Sequence, residues 1–348
     1  MRRVFAGLAA LALFLLTAAG MKNAGVLAQS CRSVSLRYRQ PLALEIVEAA
    51  QEKQPGLTFW CEQNATLATP WRQAEATALY YWGDASLVLG RECRTGSPPA
   101  PLDTGGCAVS TALAWQLFGS EEAVGLALCQ EEAEYTVRAV FESSEPVALL
   151  PRQDAAFTAV ELPAGAETAQ DPAAWTDACL VKSGLPEPDW RLYTLLPAAL
   201  ARLLTLLPLL FGAAVLAAAL ARRAARLTFP ARDLVVFVLL GAAALVLPAF
   251  FSAWPSWLTP SRWSDFSWWS QTAARLEEMG KAFLTAPAIG RDLAVKTGLL
   301  KQFGLAFLQC ALCEFLRCRF WAADKQLPRT VAPARAVCYN GTDEGTAD

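Results

Sequence analysis

Ten cysteines, abundant carboxylates and no histidine set the limits of what this chain can do chemically. Without imidazole there is no Ser–His or Cys–His pair, no common general base for neutral pH and no customary zinc ligand. No GxxxxGK(S/T) run is present to cradle nucleotide phosphates, so the chain does not hydrolyse ATP by that route. The carboxylates crowd into predicted turns, at Glu121-Glu122 and at Glu131, Glu132 and Glu134, where solvated loop charge explains them better than catalysis. Nothing here reads as an enzyme, and no cofactor or metal site is expected.

The cysteines divide by position. Cys31, Cys61, Cys93, Cys107, Cys129 and Cys179 fall in one stretch, and an even number in an oxidising compartment forms up to three bridges in an order the sequence does not rank. Six reduced thiols are the equal alternative. Cys310, Cys313 and Cys318 sit in or beside an apolar run. The CxxC spacing there suits a metal, but small buried apolar residues are the expected role. Asn64-Ala65-Thr66 fits a glycosylation sequon, which has meaning only in a eukaryote.

The elements that must position these residues follow from composition. Hydrophobic residues make up 54% of the chain and charged ones 18%, against roughly 45–50% and 25% in soluble domains. The excess lies in a few long runs. Residues 21–191 hold 12 basic and 22 acidic side chains, and the remainder holds 18 and 10. So acidic a block repels phosphates, and no nucleic-acid partner is expected.

A span takes about 20 apolar residues, because the hydrocarbon core is roughly 30 Å thick. Residues 233–253 meet this with one charge at the start. Residues 192–220 exceed it and carry only Arg202, so their first turns are expected to rise from the membrane as a stalk. Residues 1–20 form a short first span, read as an uncleaved anchor in preference to a cleaved signal peptide. Residues 293–316 form the fourth, with Lys296 and Lys301 snorkelling to the interface; an amphipathic surface helix is the alternative.

The basic residues set the orientation. Arg2 and Arg3 precede the first run, Arg222, Arg223, Arg226 and Arg232 lie in the loop 221–232, and Arg317, Arg319, Lys325 and Arg329 lie in the tail 317–348. The positive-inside rule places all three groups in the cytoplasm of a cell-membrane protein, with both termini inside and 21–191 outside. Residues 254–292 then also lie outside. Trp254, Trp257, Trp263, Trp268 and Trp269 mark them as an interfacial belt or a short helix on the outer leaflet.

Within 21–191 helical and strand signals alternate. Residues 41–51 and about 175–182 read as helices, and 56–61 and 74–81 as strands, the latter ending in the turn Trp82-Gly83-Asp84. Ser110 is placed to cap a helix over 111–118, and Gly119 to close it in the left-handed conformation. Strands at 126–130 and 135–141 follow, with a turn between them. The fold class is an α+β extracytoplasmic domain on an all-α membrane domain of four transmembrane helices.

The runs GCAVSTALAWQLFGSEEAVG (106–125), YTVRAVF (135–141) and ALYYWGDASLVLG (78–90) resemble the periplasmic core domain of MacB/FtsX-type ABC-transporter permeases. The layout is similar too: a short first span, a large outer domain and three more spans. Ala139 stands where that family usually has glycine, and the loop 221–232 has arginines but no acidic partner for docking on an ATPase.

The resemblance implies a permease-type subunit that transmits ATPase-driven motion to its outer domain. Its partners would be a separately encoded ABC ATPase and a second copy or a second permease. Arg222, Arg223 and Arg226 would then contact the ATPase, or alternatively anionic lipid of the bilayer. An anchored outer binding or scaffolding module with no ATPase is the competing function.

Overall fold

The structure, a computed structural model, describes residues 2–165, 168, 170–225, 227–252, 258–259, 264–287 and 290–325. A long helix α1 (Arg2–Ser30) leads into a sheet domain that ends at β10 (Trp190–Tyr193), and the helices α6 (Leu195–Ala224), α7 (Ala231–Ser252), α8 (Phe266–Thr285) and α9 (Gly290–Lys325) follow. The expected first span ends at residue 20, but α1 stays helical well beyond it. The expected outer domain reaches 191, and β10 carries it to Tyr193, immediately before α6.

Between these points run β1 (Ser33–Arg37), α2 (Leu44–Lys53), β2 (Thr58–Ala68), β3 (Gln73–Trp82), α3 (Ala85–Leu89), β4 (Cys93–Gly96) and β5 (Gly106–Ser110). Then come α4 (Thr111–Phe118), β6 (Ala127–Gln130), β7 (Ala133–Phe141), β8 (Val147–Pro151), β9 (Ala159–Pro163) and α5 (Pro172–Ser183). The sheet runs β10-β1-β9-β2-β3-β8-β5-β7-β4, with β6 joining β7 to the far end of β2. The pair Ala68–Cys129 closes β2-β3-β8-β5-β7-β6 into a ring. β3–β8 and β5–β7 are parallel, and the other pairs are antiparallel.

Alternation along the strands builds two cores. Tyr80, Val109 and Leu150 face the larger one with Leu113 and Phe157, while their neighbours Tyr81, Ala108 and Leu149 face a smaller one covered by α3. Each fully buried Leu or Phe contributes roughly 1.5–3 kcal/mol, so these two layers supply most of the domain's cohesion.

α4 starts where Ser110 Oγ accepts from Leu113 N at 3.1 Å. It stops at Gly119, whose φ of +73° suits glycine and whose N–H reaches the Trp115 carbonyl. Ala139 is fully buried in the smaller core, at a slip in register where Cys107 faces Val137 and Ala108 faces Ala139.

Three helices among the described residues are long and apolar enough to cross a membrane: Gly7–Ser30 in α1, Leu195–Ala224 in α6 and Gly290–Cys318 in α9. The expected third span, 233–253, overlaps α7, several of whose side chains, with residue 253, lie outside the described residues. At about 1.5 Å per residue the 30-residue α6 is roughly 45 Å long, against a hydrocarbon core of roughly 30 Å. In the tryptophan-rich segment α8 is a full helix of 20 residues, capped by Asp265 and tied to the sheet domain by an Arg275–Asp171 pair at 3.6 Å.

Candidate functional site

The sequence Ser33-Val34-Ser35-Leu36-Arg37 alternates with period two, and all five residues are buried. Val34 and Leu36 enter the larger core, which leaves Ser33, Ser35 and Arg37 on the opposite face. Ser35 pairs with Glu161 of β9, and Glu161 pairs in turn with Thr58 of β2. A carboxylate with no exposed surface is thus held in the middle of three strands.

Its oxygens are fully engaged. Ser33 Oγ donates to Oε2, while Ser35 Oγ at 2.6 Å and Trp60 Nε1 at 3.0 Å donate to Oε1. Arg291 Nη1 stands 3.0 Å from Oε1 and Arg37 Nη2 3.8 Å away. Arg37 also meets Asp292 at 3.2 and 3.3 Å and lies 4.4 Å over the Trp60 ring. Two cations therefore face two anions, and the cluster is neutral.

Burial alone would push the Glu161 carboxyl up, but Arg291 and Arg37, with the Ser33 and Ser35 hydroxyls, overcome it and hold the group below its ordinary value. Burial lowers Arg37, against the pull of Asp292 and Glu161. Glu62, at the edge, is raised by burial despite a hydrogen bond from the Gly290 backbone.

Position gives this cluster its meaning. Arg291 and Asp292 belong to the first turn of α9, where an acid is favoured by the helix dipole. Arg291 Nη2 also donates to the carbonyl of Ser30, the last residue of α1, at 3.3 Å, and Thr194 Oγ1, just before α6, donates to the Ser33 carbonyl. The ends of three membrane-type helices thus converge on β1 and β9.

Inside the bundle a second polar link joins the same helices. Asn23 of α1 donates to Gln302 Oε1 and to the Gly298 carbonyl of α9, both at 2.9 Å, and Gln302 Nε2 donates to Thr205 Oγ1 of α6 at 2.8 Å. Gln302 is buried. Buried amides in an apolar bundle fix register because each must find a partner.

No family model and no curated protein matches the chain. Solved structures do. The extracellular domain of YknZ, a noncanonic ABC-type transporter from Gram-positive bacteria, aligns at 11% identity and TM-score 0.33 over 45% of this chain and 96% of that one. The periplasmic region of MacB from Actinobacillus actinomycetemcomitans aligns at 10% and 0.37, over 47% and 88%. A permease domain from Porphyromonas gingivalis aligns at 17% and 0.30, over 45% and 81%. The chain is similar to MacB- and YknZ-type extracytoplasmic domains.

The residues singled out from sequence lie elsewhere. Arg222 and Arg223 end α6, at the opposite end of the bundle from the sheet domain, and Arg226 lies outside the described residues. So do Trp254, Trp257 and Trp263, while Trp268 and Trp269 open α8 with their rings edge to face at 4.9 Å.

None of the six sheet-domain cysteines, Cys31, Cys61, Cys93, Cys107, Cys129 and Cys179, is joined in a disulfide. Burial pushes Cys31 and Cys107 up to about 12 and Cys61 up to about 11, which removes their thiolates at neutral pH. Among the described residues no group of His, Cys, Asp and Glu is arranged to hold a metal.

Sequence reasoning missed the joint, because it placed no strand around Glu161. The Ser-x-Ser-x-Arg alternation at 33–37 was the available signal.

Proposed function

We propose that the chain is a permease-type membrane subunit of an ABC transporter of the MacB/FtsX kind, in which α1, α6, α7 and α9 are four spans and the sheet domain is extracytoplasmic. The carrying observation is the Glu161 joint, where Arg291 of α9 and Arg37 of β1 grip one buried carboxylate. A rigid helix whose first turn is locked into a sheet passes its tilt to that sheet. Ser30 and Ser33 are only a short link apart, as are Tyr193 and Leu195, so α1 and α6 act on the same edge.

In this reading a separate ATPase works on the far, cytoplasmic end near Arg222 and Arg223. Its stroke reaches the outer domain as a hinge or shear motion of the helices. The chain itself performs no chemistry, and the resemblance of 78–141 to the MacB-type core supports the assignment.

A second reading is favoured by one observation: the loop 221–232 carries four arginines and no acidic residue for an ATPase to engage. On that reading the chain is an anchored outer binding or scaffolding module. Detergent pull-down of the tagged full-length chain, with mass spectrometry of what co-purifies, separates the two. A stoichiometric nucleotide-hydrolysing subunit supports the transporter reading, and a chain that comes down alone contradicts it.

A further inference from the structure

Toward the end of the bundle away from the sheet domain, residues of α1, α6 and α9 line a groove of about 530 Å³. Its walls are aliphatic: Leu13 of α1, Ala213 and Leu216 of α6, and Leu316 of α9 among them. Gly212 brings α6 close to α9 within it, since a Cβ there would stand 3.4 Å from Cys313 Sγ, and both residues line the groove. The groove has the size of a small-molecule site, about 300–1,000 Å³.

Its rim has a different character. Arg222, Arg223 and Arg317 line it, with no acidic residue among the described lining. Arg317 is paired with Glu314 one turn earlier, at 2.6 Å between Nε and Oε2. Arg222 donates back to the Ala218 carbonyl at 2.9 Å. An apolar trough thus shares its lining with three guanidinium groups.

The geometry points to a binding site for one anionic phospholipid, its acyl chain along the trough and its phosphate among Arg222, Arg223 and Arg317. This inference rests on the chain spanning a membrane and is independent of any ATPase. Inside a bilayer an acyl chain gains no hydrophobic free energy by leaving other chains, so the trough supplies shape and the arginines must supply selection. Attraction of one basic side chain to an anionic lipid surface corresponds to at most roughly five-fold per residue. Arg317 is already paired with Glu314, and the shares of Arg222 and Arg223 are damped by salt, so a preference on the order of tenfold over a zwitterionic lipid is expected. Charge complementarity favours lipid over a transmembrane helix of a second copy, which would bring apolar residues to the arginine rim.

Native mass spectrometry of the full-length chain in detergent, with equimolar phosphatidylglycerol and phosphatidylcholine of the same chains, tests this. The expected result is one phosphatidylglycerol retained on the monomer with about tenfold preference. The double variant R222Q/R223Q should bring the preference to near parity, and Ala213→Trp should reduce retention of both lipids. On the wild-type protein alone, phosphatidylglycerol carrying a photoactivatable acyl chain should crosslink to peptides of α6 and α9 around 213–216 and 313–316. This arm holds even if a variant fails to fold. Equal retention of the two lipids, or crosslinks scattered over all helix faces, would mean ordinary boundary lipid and overturn the proposal. A dimer that Ala213→Trp dissociates would make the groove an interface between copies and overturn it as well.

Discussion

Arg291 and Glu161 lie far apart in the sequence and meet with 3.0 Å between Nη1 and Oε1, where the last long helix enters the sheet domain. Both side chains are almost wholly withdrawn from solvent, at 8% and 0% exposure. A pair so buried is costly to break from one side, because the remaining partner keeps its desolvation penalty.

Glu161→Ala should therefore destabilise the full-length chain by about 3–5 kcal/mol, since it strands both Arg37 and Arg291. Replacing the pair together, as E161L/R291M, should recover much of that loss. Thermal unfolding in detergent measures both. Equal losses in the single and double variants would remove the pairwise coupling from the account.

The same carboxylate sets an acid limit. Glu161 is held below its ordinary value, so the unfolded chain takes up the extra proton as pH falls. The stabilisation is present at neutral pH, begins to fade near the unfolded value of about 4.3, and is lost as pH drops through the lower folded value. Unfolding midpoints measured from pH 7 to pH 3 should fall at the acid end, and Glu161→Gln should flatten that decline.

The amide link in the bundle is expected to matter less. Interhelical hydrogen bonds in membranes average about 0.6 kcal/mol, with a maximum near 1.7. Gln302→Leu, which removes the bonds to Asn23 and Thr205, should cost under about 2 kcal/mol in an SDS unfolding titration. A loss as large as that of Glu161→Ala would shift the weight of the coupling into the membrane.

Gly96 sits at φ +74°, and a Cβ added there would stand 2.0 Å from the Arg138 carbonyl oxygen. Backbone atoms on the facing strand cannot move aside cheaply. Gly96→Ala should lower the unfolding midpoint markedly and loosen the β4–β7 edge, as read by amide exchange in Ala133–Phe141.

Thiol labelling should follow burial. Cys129 and Cys318 are exposed, whereas Cys31, Cys61, Cys107 and Cys179 are buried. Maleimide should modify the first two in the native protein and reach the other four only after SDS unfolding.

Elements with local grammar were legible in the sequence. Ser110 and Gly119 mark the two ends of α4, and the alternation over 74–81 and 135–141 finds most of β3 and β7. The helix around 175–182 is α5, started by Asp171 and Pro172. β1, β5, β8 and β9 were not read, because each is only five residues long and buried on both faces, so sidedness is lost. The joint was hidden for a related reason. Ser33, Ser35 and Arg37 have the spacing of a solvent-facing stripe, and only the arrival of α9 turns that stripe inward. Such an encounter is a property of topology, which local patterns do not carry.

Hydrogen–deuterium exchange on the full-length chain, wild type against Arg291→Gln, tests the central claim most directly. If α9 is locked to the sheet through Glu161, amides of Ser33–Arg37, Ala159–Pro163 and the first turn of α9 should lose protection together. Loss confined to the first turn of α9, with β1 and β9 unchanged, would contradict the coupling.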